Sequence, residues 1–413
     1  MSSSKSQEPL RPPGIWSARA EALEPFLAME VAERAAYLER EGIDIAHLEL
    51  GEPEFTPPDA VIAAATKALA EDETNYTDSR GLWALREGIA ANLADRFSVS
   101  VPPERVLVTQ GTSSAMTLVF SCLVDPGDEV LIPTPHYPCY PNFVRFCGGT
   151  PVFVPTRAED GWVIDPERVR QAITPRTRAI IVGSPANPTG TIQPPHVMEA
   201  LAALGLPLIS DEIYDGLTYD GAKVTSALEL DGDHFVLDGF SKRYAMTGFR
   251  LGWVVAPETA MRRLQVLQQN LFISAGSFVQ HAGIAALEEG AAMSTDLRDA
   301  CNERRDLLIA GLRRLGFGVD QDPQGAFYVL ADATRFGQDS RALAFDLLER
   351  AHVGVTPGID FGEAAEGRLR FCYALARETI ETALARLEPV LATIESENKA
   401  GSPAVNSSRK GVA

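Results

Sequence analysis

Between residues 57 and 300, short apolar runs alternate with longer stretches whose apolar positions recur at helical spacing. The runs are RVLVTQ, DEVLIP, PVFVP, RAIIVGSP, LPLISDEI, HFVLDGF and LGWVVAP. They are continuous in Val, Ile and Leu, with little polar alternation, and turn residues bound them. That is the pattern of strands buried on both faces. The intervening segments, such as SSAMTLVFSCLV, read as helices. Strand, loop and helix in repeated succession predict an α/β fold, with a mostly parallel sheet covered by helices.

Outside that stretch the pattern changes. Residues 18–41 read as a helix, and IDIAHLELGEPEF as a strand running into a Gly/Pro turn. Downstream come a long helix, CNERRDLLIAGLRRLG, a strand in GAFYVLAD, another in RLRFCYA, and a last helix over about 378–395. The expected organisation is a disordered tail over 1–15 and an N-terminal segment over 16–56 that joins a smaller α/β domain. A large domain follows over 57–300, then the small domain over 301–395 and a second disordered tail over 396–413, which is small, polar and rich in Pro, Gly and Ser. No internal repeat is visible.

Composition narrows the function classes. The chain has 413 residues and a formal net charge of −19, which disfavours a nucleic-acid partner. An anionic ligand would need a local positive site against that background. The five cysteines, Cys122, Cys139, Cys147, Cys301 and Cys372, contain no C-x-x-C pair and are odd in number. They read as reduced, buried thiols of a cytoplasmic protein. None of the six histidines pairs with a cysteine at ligand spacing, so no metal site is expected. No run approaches the ~20 apolar residues of a membrane span. The first residues lack the apolar core of a secretory signal.

In open parallel sheets, ligands bind beyond the carboxyl ends of the strands. RVLVTQ runs into Gly111, Thr112, Ser113 and Ser114. A helix N-terminus there offers free backbone N–H groups to a phosphate, although a plain helix cap would also explain the run. RAIIVGSP runs into Asn187, held between two prolines in SPANPTG. LPLIS runs into Asp211, with Tyr214 one turn later. A carboxylate at so apolar a strand end suits a cationic partner such as a protonated ring nitrogen. An N-cap carboxylate with a core tyrosine is the plainer alternative.

HFVLDGF runs into Ser241 and Lys242. Of the 37 basic residues only six are lysines, and Lys242 alone directly follows an apolar run. Arginine cannot lose its proton at working pH, whereas a desolvated lysine becomes a nucleophilic amine. Arg250, eight residues on, has the planar fork that matches phosphate.

These stretches occur in one order: GEPEF, NYTDSRGLWALREGIA, VTQGTSSA, PTPHYPCYP, SPANPTG, DEIYDGLTY, FSKRYAMTGFRLGW and RLRFCYA. In that order, across most of the chain, the sequence resembles the class I/II aminotransferases, the aspartate-aminotransferase-like branch of the fold type I pyridoxal-phosphate enzymes. The resemblance implies a seven-stranded sheet in the large domain, with the small domain built from both chain ends. It implies pyridoxal 5'-phosphate as cofactor and a homodimer with shared active sites, acting on an amino acid and a 2-oxo acid. Lys242 would be the Schiff-base lysine and proton carrier. Asp211 would hold the proton on the pyridine nitrogen. Asn187 and Tyr214 would hydrogen-bond the phenolic oxygen, and Tyr137 would stack on the ring. Thr112, Ser113, Ser241 and Arg250 would hold the phosphate, and Tyr76 would reach the phosphate of the neighbouring subunit. Arg370 would clamp the substrate α-carboxylate, with Gly51 and Asn187 helping.

Two positions depart from the family pattern. Gly239 stands where a hydroxyl residue often contributes to the phosphate site, and no arginine for a second substrate carboxylate is evident. The same cradle also serves C–S β-lyases, so elimination is the alternative reaction. Transcription regulators with this fold carry an attached basic DNA-binding module, for which this N-terminus is too short and too weakly basic.

Overall fold

A computed structural model describes residues 16–401. The expected 1–15 tail, and 402–413 of the expected C-terminal tail, lie outside those residues. In chain order the strands are β1 Ala46–His47, β2 Val106–Thr109, β3 Glu129–Thr134, β4 Thr150–Pro155, β5 Thr177–Gly183 and β6 Leu208–Asp211. They continue with β7 Phe235–Gly239, β8 Gly252–Val255, β9 Tyr328–Asp332, β10 Val353–Gly354, β11 Thr356–Pro357 and β12 Arg368–Cys372.

The seven apolar runs are β2 to β8, and they form one seven-stranded sheet in the order β2-β8-β7-β6-β5-β3-β4. The β3–β4, β3–β5, β5–β6 and β6–β7 pairs are parallel. β8 runs antiparallel to both its neighbours, β7 and β2. Every residue of β2, β3, β6, β7 and β8 is buried. Successive side chains point to opposite faces. Leu107, Ile209, Leu237 and Val254 join the core on one side of the sheet, and Val106, Val236, Trp253 and Val255 join the core on the other. Burial on both faces explains the runs without polar alternation, except for β4, an edge strand in which only Val154 is buried.

This topology places the chemistry. β2, β3, β5, β6 and β7 share one direction, so their carboxyl ends open on one edge. β8 is reversed, so its amino end, just after Arg250, opens on that same edge.

The second layer is an antiparallel sheet, β11-β12-β9, backed by the long helices Ala291–Leu315 and Arg377–Gly401. Leu308 and Leu312 share one core with Leu384, Leu387 and Leu391, and that core also takes in Tyr214 and Leu217 of the large sheet's loops. The N-terminal segment ties in through β1, which pairs in parallel with β10.

Several expectations need correction. The helix expected over 18–41 is two helices, Ala18–Glu21 and Leu27–Arg40. Pro25 lies in the gap, and a proline lacks the N–H a continuous helix requires. The second helix is capped from far away, because the N–H groups of Leu27 and Ala28 donate to the Asp360 carboxylate at 2.9 and 3.2 Å. The strand expected over IDIAHLELGEPEF is only Ala46–His47. Helix Ala291–Leu315 runs unbroken through the expected boundary at 300/301. The last helix extends to Gly401, into the segment expected as a disordered tail. Glu397 pairs with Arg350 at 3.2 Å and the Asn398 amide donates to the Phe336 carbonyl at 2.8 Å, so tertiary contacts hold the added turns.

Candidate active site

A cavity of about 350 Å³ opens at the carboxyl edge of the large sheet, within the ~300–1,000 Å³ range usual for ligand clefts. Eleven of the twelve expected site residues line it. Gly51 comes from the N-terminal segment, Thr112 and Ser113 from the end of β2, and Tyr137 from the end of β3. Asn187 follows β5, Asp211 ends β6 with Tyr214 just beyond it, Ser241 and Lys242 follow β7, Arg250 precedes β8, and Arg370 lies on β12. Tyr76 is not among them; its side chain stands 81% exposed on the surface of the chain.

One corner suits an anion. Helix Gly111–Leu123 begins there with no side-chain cap on its first N–H groups. Arg250 lies against this helix start: a Cβ on Gly111, whose φ is +77°, would come within 2.7 Å of Arg250 Nη2. The same crowding explains Gly239. It faces Gly252 in the β7–β8 pair, and a Cβ there would meet the Gly252 Cα at 3.0 Å. A side chain at 239 has no room without movement of β8. Free N–H groups, a guanidinium and the Ser241 hydroxyl together match a phosphate.

The amine lies across the cavity. Lys242 Nζ donates to the Gly51 carbonyl at 2.5 Å and sits 5.7 Å from the Phe327 ring centre. Burial lowers its pKa to about 8, the Arg370 and Arg250 charges push the same way, and Glu52 opposes them. A substantial neutral fraction near physiological pH makes it a competent nucleophile and base.

Asp211 is buried at the end of β6, and burial pushes its carboxyl up to about 6. The Tyr140 hydroxyl donates to its Oδ2 at 2.7 Å, and the Ile213 N–H reaches Oδ1 at 3.4 Å. Both bonds favour the ionised form. Tyr214 shares a hydrogen bond with the Tyr328 hydroxyl at 2.8 Å, and burial holds its phenol well above 10, so it stays a donor.

Arg370 is 2% exposed. Its Nη1 donates to Asn187 Oδ1 at 3.0 Å and its Nη2 to Thr356 Oγ1 at 3.0 Å and to the Glu49 carbonyl. Its plane lies over Tyr328 and Phe361, 4.3 and 5.0 Å from the ring centres. Its Nε has no partner, and among the described residues its guanidinium bonds only Asn187, Thr356 and the Glu49 carbonyl, with no ion pair to a carboxylate. A buried guanidinium without a counter-ion, opening on a cavity, is arranged for an incoming carboxylate.

Sequence reasoning missed Tyr140, Tyr328, Thr356 and Glu49. Tyr140 and Tyr328 line the cavity and hold Asp211 and Tyr214; Thr356 and the Glu49 carbonyl hold Arg370. PHYPCYP offers two tyrosines and FYVLAD carries one, but the partners lie 71 and 114 residues away.

The comparisons with known proteins agree with this geometry. The family described as aminotransferase class I and II matches residues 43–387. The aspartate/prephenate aminotransferase of Thermus thermophilus is 40% identical over 382 residues, covering 91% of this chain and 98% of that protein. The (5-formylfuran-3-yl)methyl phosphate transaminase of Methanocaldococcus jannaschii is 38% identical over 373 residues, covering 89% and 97%. The solved structure of aspartate aminotransferase from Thermus thermophilus with maleate superposes with a TM-score of 0.87 at 40% identity, covering 91% of this chain and 99% of that one. The α/β fold, together with the match to curated aminotransferases over most of the chain, places this protein among the transferase enzymes. The chain belongs to the class I and II aminotransferases, a family that uses pyridoxal 5'-phosphate.

Proposed function

We propose that this aminotransferase exchanges the amino group of an L-amino acid with a 2-oxo acid through pyridoxal 5'-phosphate held in the strand-end cavity. The residues suit the group. The uncapped helix start and Arg250 match its phosphate, and the buried Asp211 carboxylate calls for a cationic partner such as its ring nitrogen. When bound, the cofactor supplies an electron sink for charge developing at the substrate α-carbon.

This chain's side chains do the rest. Lys242 would hold the cofactor at its aldehyde, and its Nζ would take the proton from the substrate α-carbon. Asp211 keeps the ring nitrogen protonated. Asn187 and Tyr214 orient the phenolic oxygen, and Tyr137 covers the ring face. Thr112, Ser113, Ser241 and Arg250 hold the phosphate. Arg370 binds the α-carboxylate, with Gly51 and Asn187 beside it. The exposed Tyr76 serves the partner's phosphate in a homodimer. A cytoplasmic location fits five cysteines that are all free thiols. No helix among the described residues is long and apolar enough to cross a membrane.

The observation that carries the substrate reading is Arg370, a buried cation with an unpartnered Nε on the cavity wall. The test is to mix the cofactor-loaded protein with single L-amino acids and follow the cofactor's visible absorbance. Conversion to its amine form, with stoichiometric 2-oxo acid and no ammonia, is expected. Release of pyruvate and ammonia from cystathionine without added 2-oxo acid would instead establish elimination. The curated relatives that match over most of the chain are named as amino-group transferases, which favours transfer.

A further inference from the structure

We propose that Tyr140 is a positioning residue for Asp211: its hydroxyl, reaching over the end of β5, binds Oδ2 and leaves Oδ1 to face a cationic ring nitrogen. The proposal rests on the reading above, in which Asp211 pairs with the cofactor.

The sheet order creates the opportunity. Asp211 ends β6, and Tyr140 belongs to helix Cys139–Phe146, which follows β3. β5 lies between those two strands. Gly183 ends β5 and stands in register with Asp211. A Cβ built on Gly183 would lie 3.1 Å from Tyr140 Oη, closer than a carbon and an oxygen ordinarily approach. The absent side chain at 183 is therefore the passage through which the hydroxyl reaches Asp211 at 2.7 Å.

The two carboxylate oxygens are left unequal. Oδ2 accepts the short bond from Tyr140, whereas Oδ1 accepts only the Ile213 N–H at 3.4 Å. Tyr140 is 5% exposed and packs edge-on against Tyr137, with ring centres 5.4 Å apart. Together with Tyr137 and Asn187 it lines both the active-site cavity and a smaller one bordered by His136, Trp162 and Gly183.

Tyr140 stays a donor, because burial and the Asp211 charge raise its phenol well above 10. The other groups acting on Asp211 are charges at longer range. Asp238 on β7 opposes its ionisation and Lys242 favours it. Asp238 is itself paired to Arg96 at 3.0 Å. Among the described residues, Tyr140 makes the one side-chain hydrogen bond to Asp211.

The test uses the cofactor-loaded protein and Tyr140→Phe, which removes one oxygen and keeps the ring. A hydrogen bond to a charged group predicts about 10- to 100-fold weaker pyridoxal-phosphate affinity in the variant. kcat falls by a similar factor, while KM for the amino acid changes less than about threefold. Asp211 then protonates at higher pH, so the acidic limb of the kcat profile and of the cofactor's absorbance titration moves up. Gly183→Ala crowds the hydroxyl without deleting it and is expected to give the same signature, and Tyr140→Phe added to it costs little more. Wild-type affinity, kcat and titration in both variants would overturn the proposal. If Asp211→Asn loses cofactor affinity while the Tyr140 and Gly183 variants do not, the positioning role fails alone. If the unaltered protein takes up no pyridoxal phosphate, the parent reading fails first.

Discussion

Arg370 separates function from stability, and two substitutions expose the separation. In Arg370→Lys the charge remains and the planar fork is lost. A substrate carboxylate then keeps one charged contact and loses about one charge-assisted hydrogen bond, ~1.5–3 kcal/mol. At ~1.4 kcal/mol per tenfold, kcat/KM for the amino acid falls by about 10- to 150-fold. Arg370→Met loses both bonds and the charge, about 3–6 kcal/mol, or roughly 10² to 10⁴ in kcat/KM.

Stability moves differently. The guanidinium is buried with no carboxylate partner and an unpaired Nε, so its desolvation is incompletely offset in the free protein. Methionine removes that cost. It also removes the donors to Asn187 and Thr356 and the stacking on Tyr328 and Phe361. The Glu49 carbonyl keeps the Thr356 hydroxyl at 2.9 Å. These changes oppose one another, and Arg370→Met is expected to unfold within about 1 kcal/mol of the parent. Single-turnover kinetics over a range of amino-acid concentrations, beside denaturant unfolding of the same samples, measure both. A kcat/KM within about threefold of the parent in the methionine variant would refute the carboxylate-clamp reasoning. A loss of stability as large as the loss of transition-state binding would show that Arg370 is mainly structural.

Three further outcomes are expected. Lys242→Ala binds the cofactor without a covalent link and loses turnover by at least about 10²- to 10⁴-fold, the range for a positioned acid–base group, as single-turnover absorbance will show. Asp211→Asn stabilises the cofactor-free protein near pH 8: the folded carboxyl, raised to about 6, carries a buried charge above that pH. The raised folded pKa means the native carboxyl contributes most below its unfolded value of ~4, and that stability is lost as pH rises through about 6. The stabilisation by asparagine is therefore up to about 3 kcal/mol at pH 8 and vanishes below about pH 4, measured by urea unfolding at both pH values. Gly51→Ala places a Cβ 1.9 Å from the Tyr328 hydroxyl and displaces the Tyr214–Tyr328 pair. It lowers kcat/KM by tenfold or more at a cost of ~1–3 kcal/mol in stability, and Tyr328→Phe in the same chain restores part of both.

What the sequence made legible follows from how local each signal is. Most of the seven strands could be read because burial on both faces leaves unbroken apolar runs, β4 at the sheet edge being the exception with only Val154 buried, and the residues after them could be read because a strand end is a local feature. The break at Pro25 was equally local, but an apolar pattern that continues on both sides outweighed it. The added turns of the last helix were not local: Glu397 and Asn398 are held by Arg350 and Phe336. Strand order was the larger gap. Nothing in the succession β3, β4, β5 says that β5 pairs with β3, yet that pairing carries Tyr140 over Gly183 to Asp211. Arg250 depends on order in a stronger sense. It stands before β8, and an amino-terminal position on a parallel strand would lie at the edge of the sheet away from Lys242. Only because β8 runs antiparallel between β2 and β7 does the residue before it arrive where the strands beside it end, against Gly111. The corner where Arg250 meets the start of helix Gly111–Leu123 is thus a product of one reversed strand, and a motif eight residues after a lysine acquires its place from that reversal.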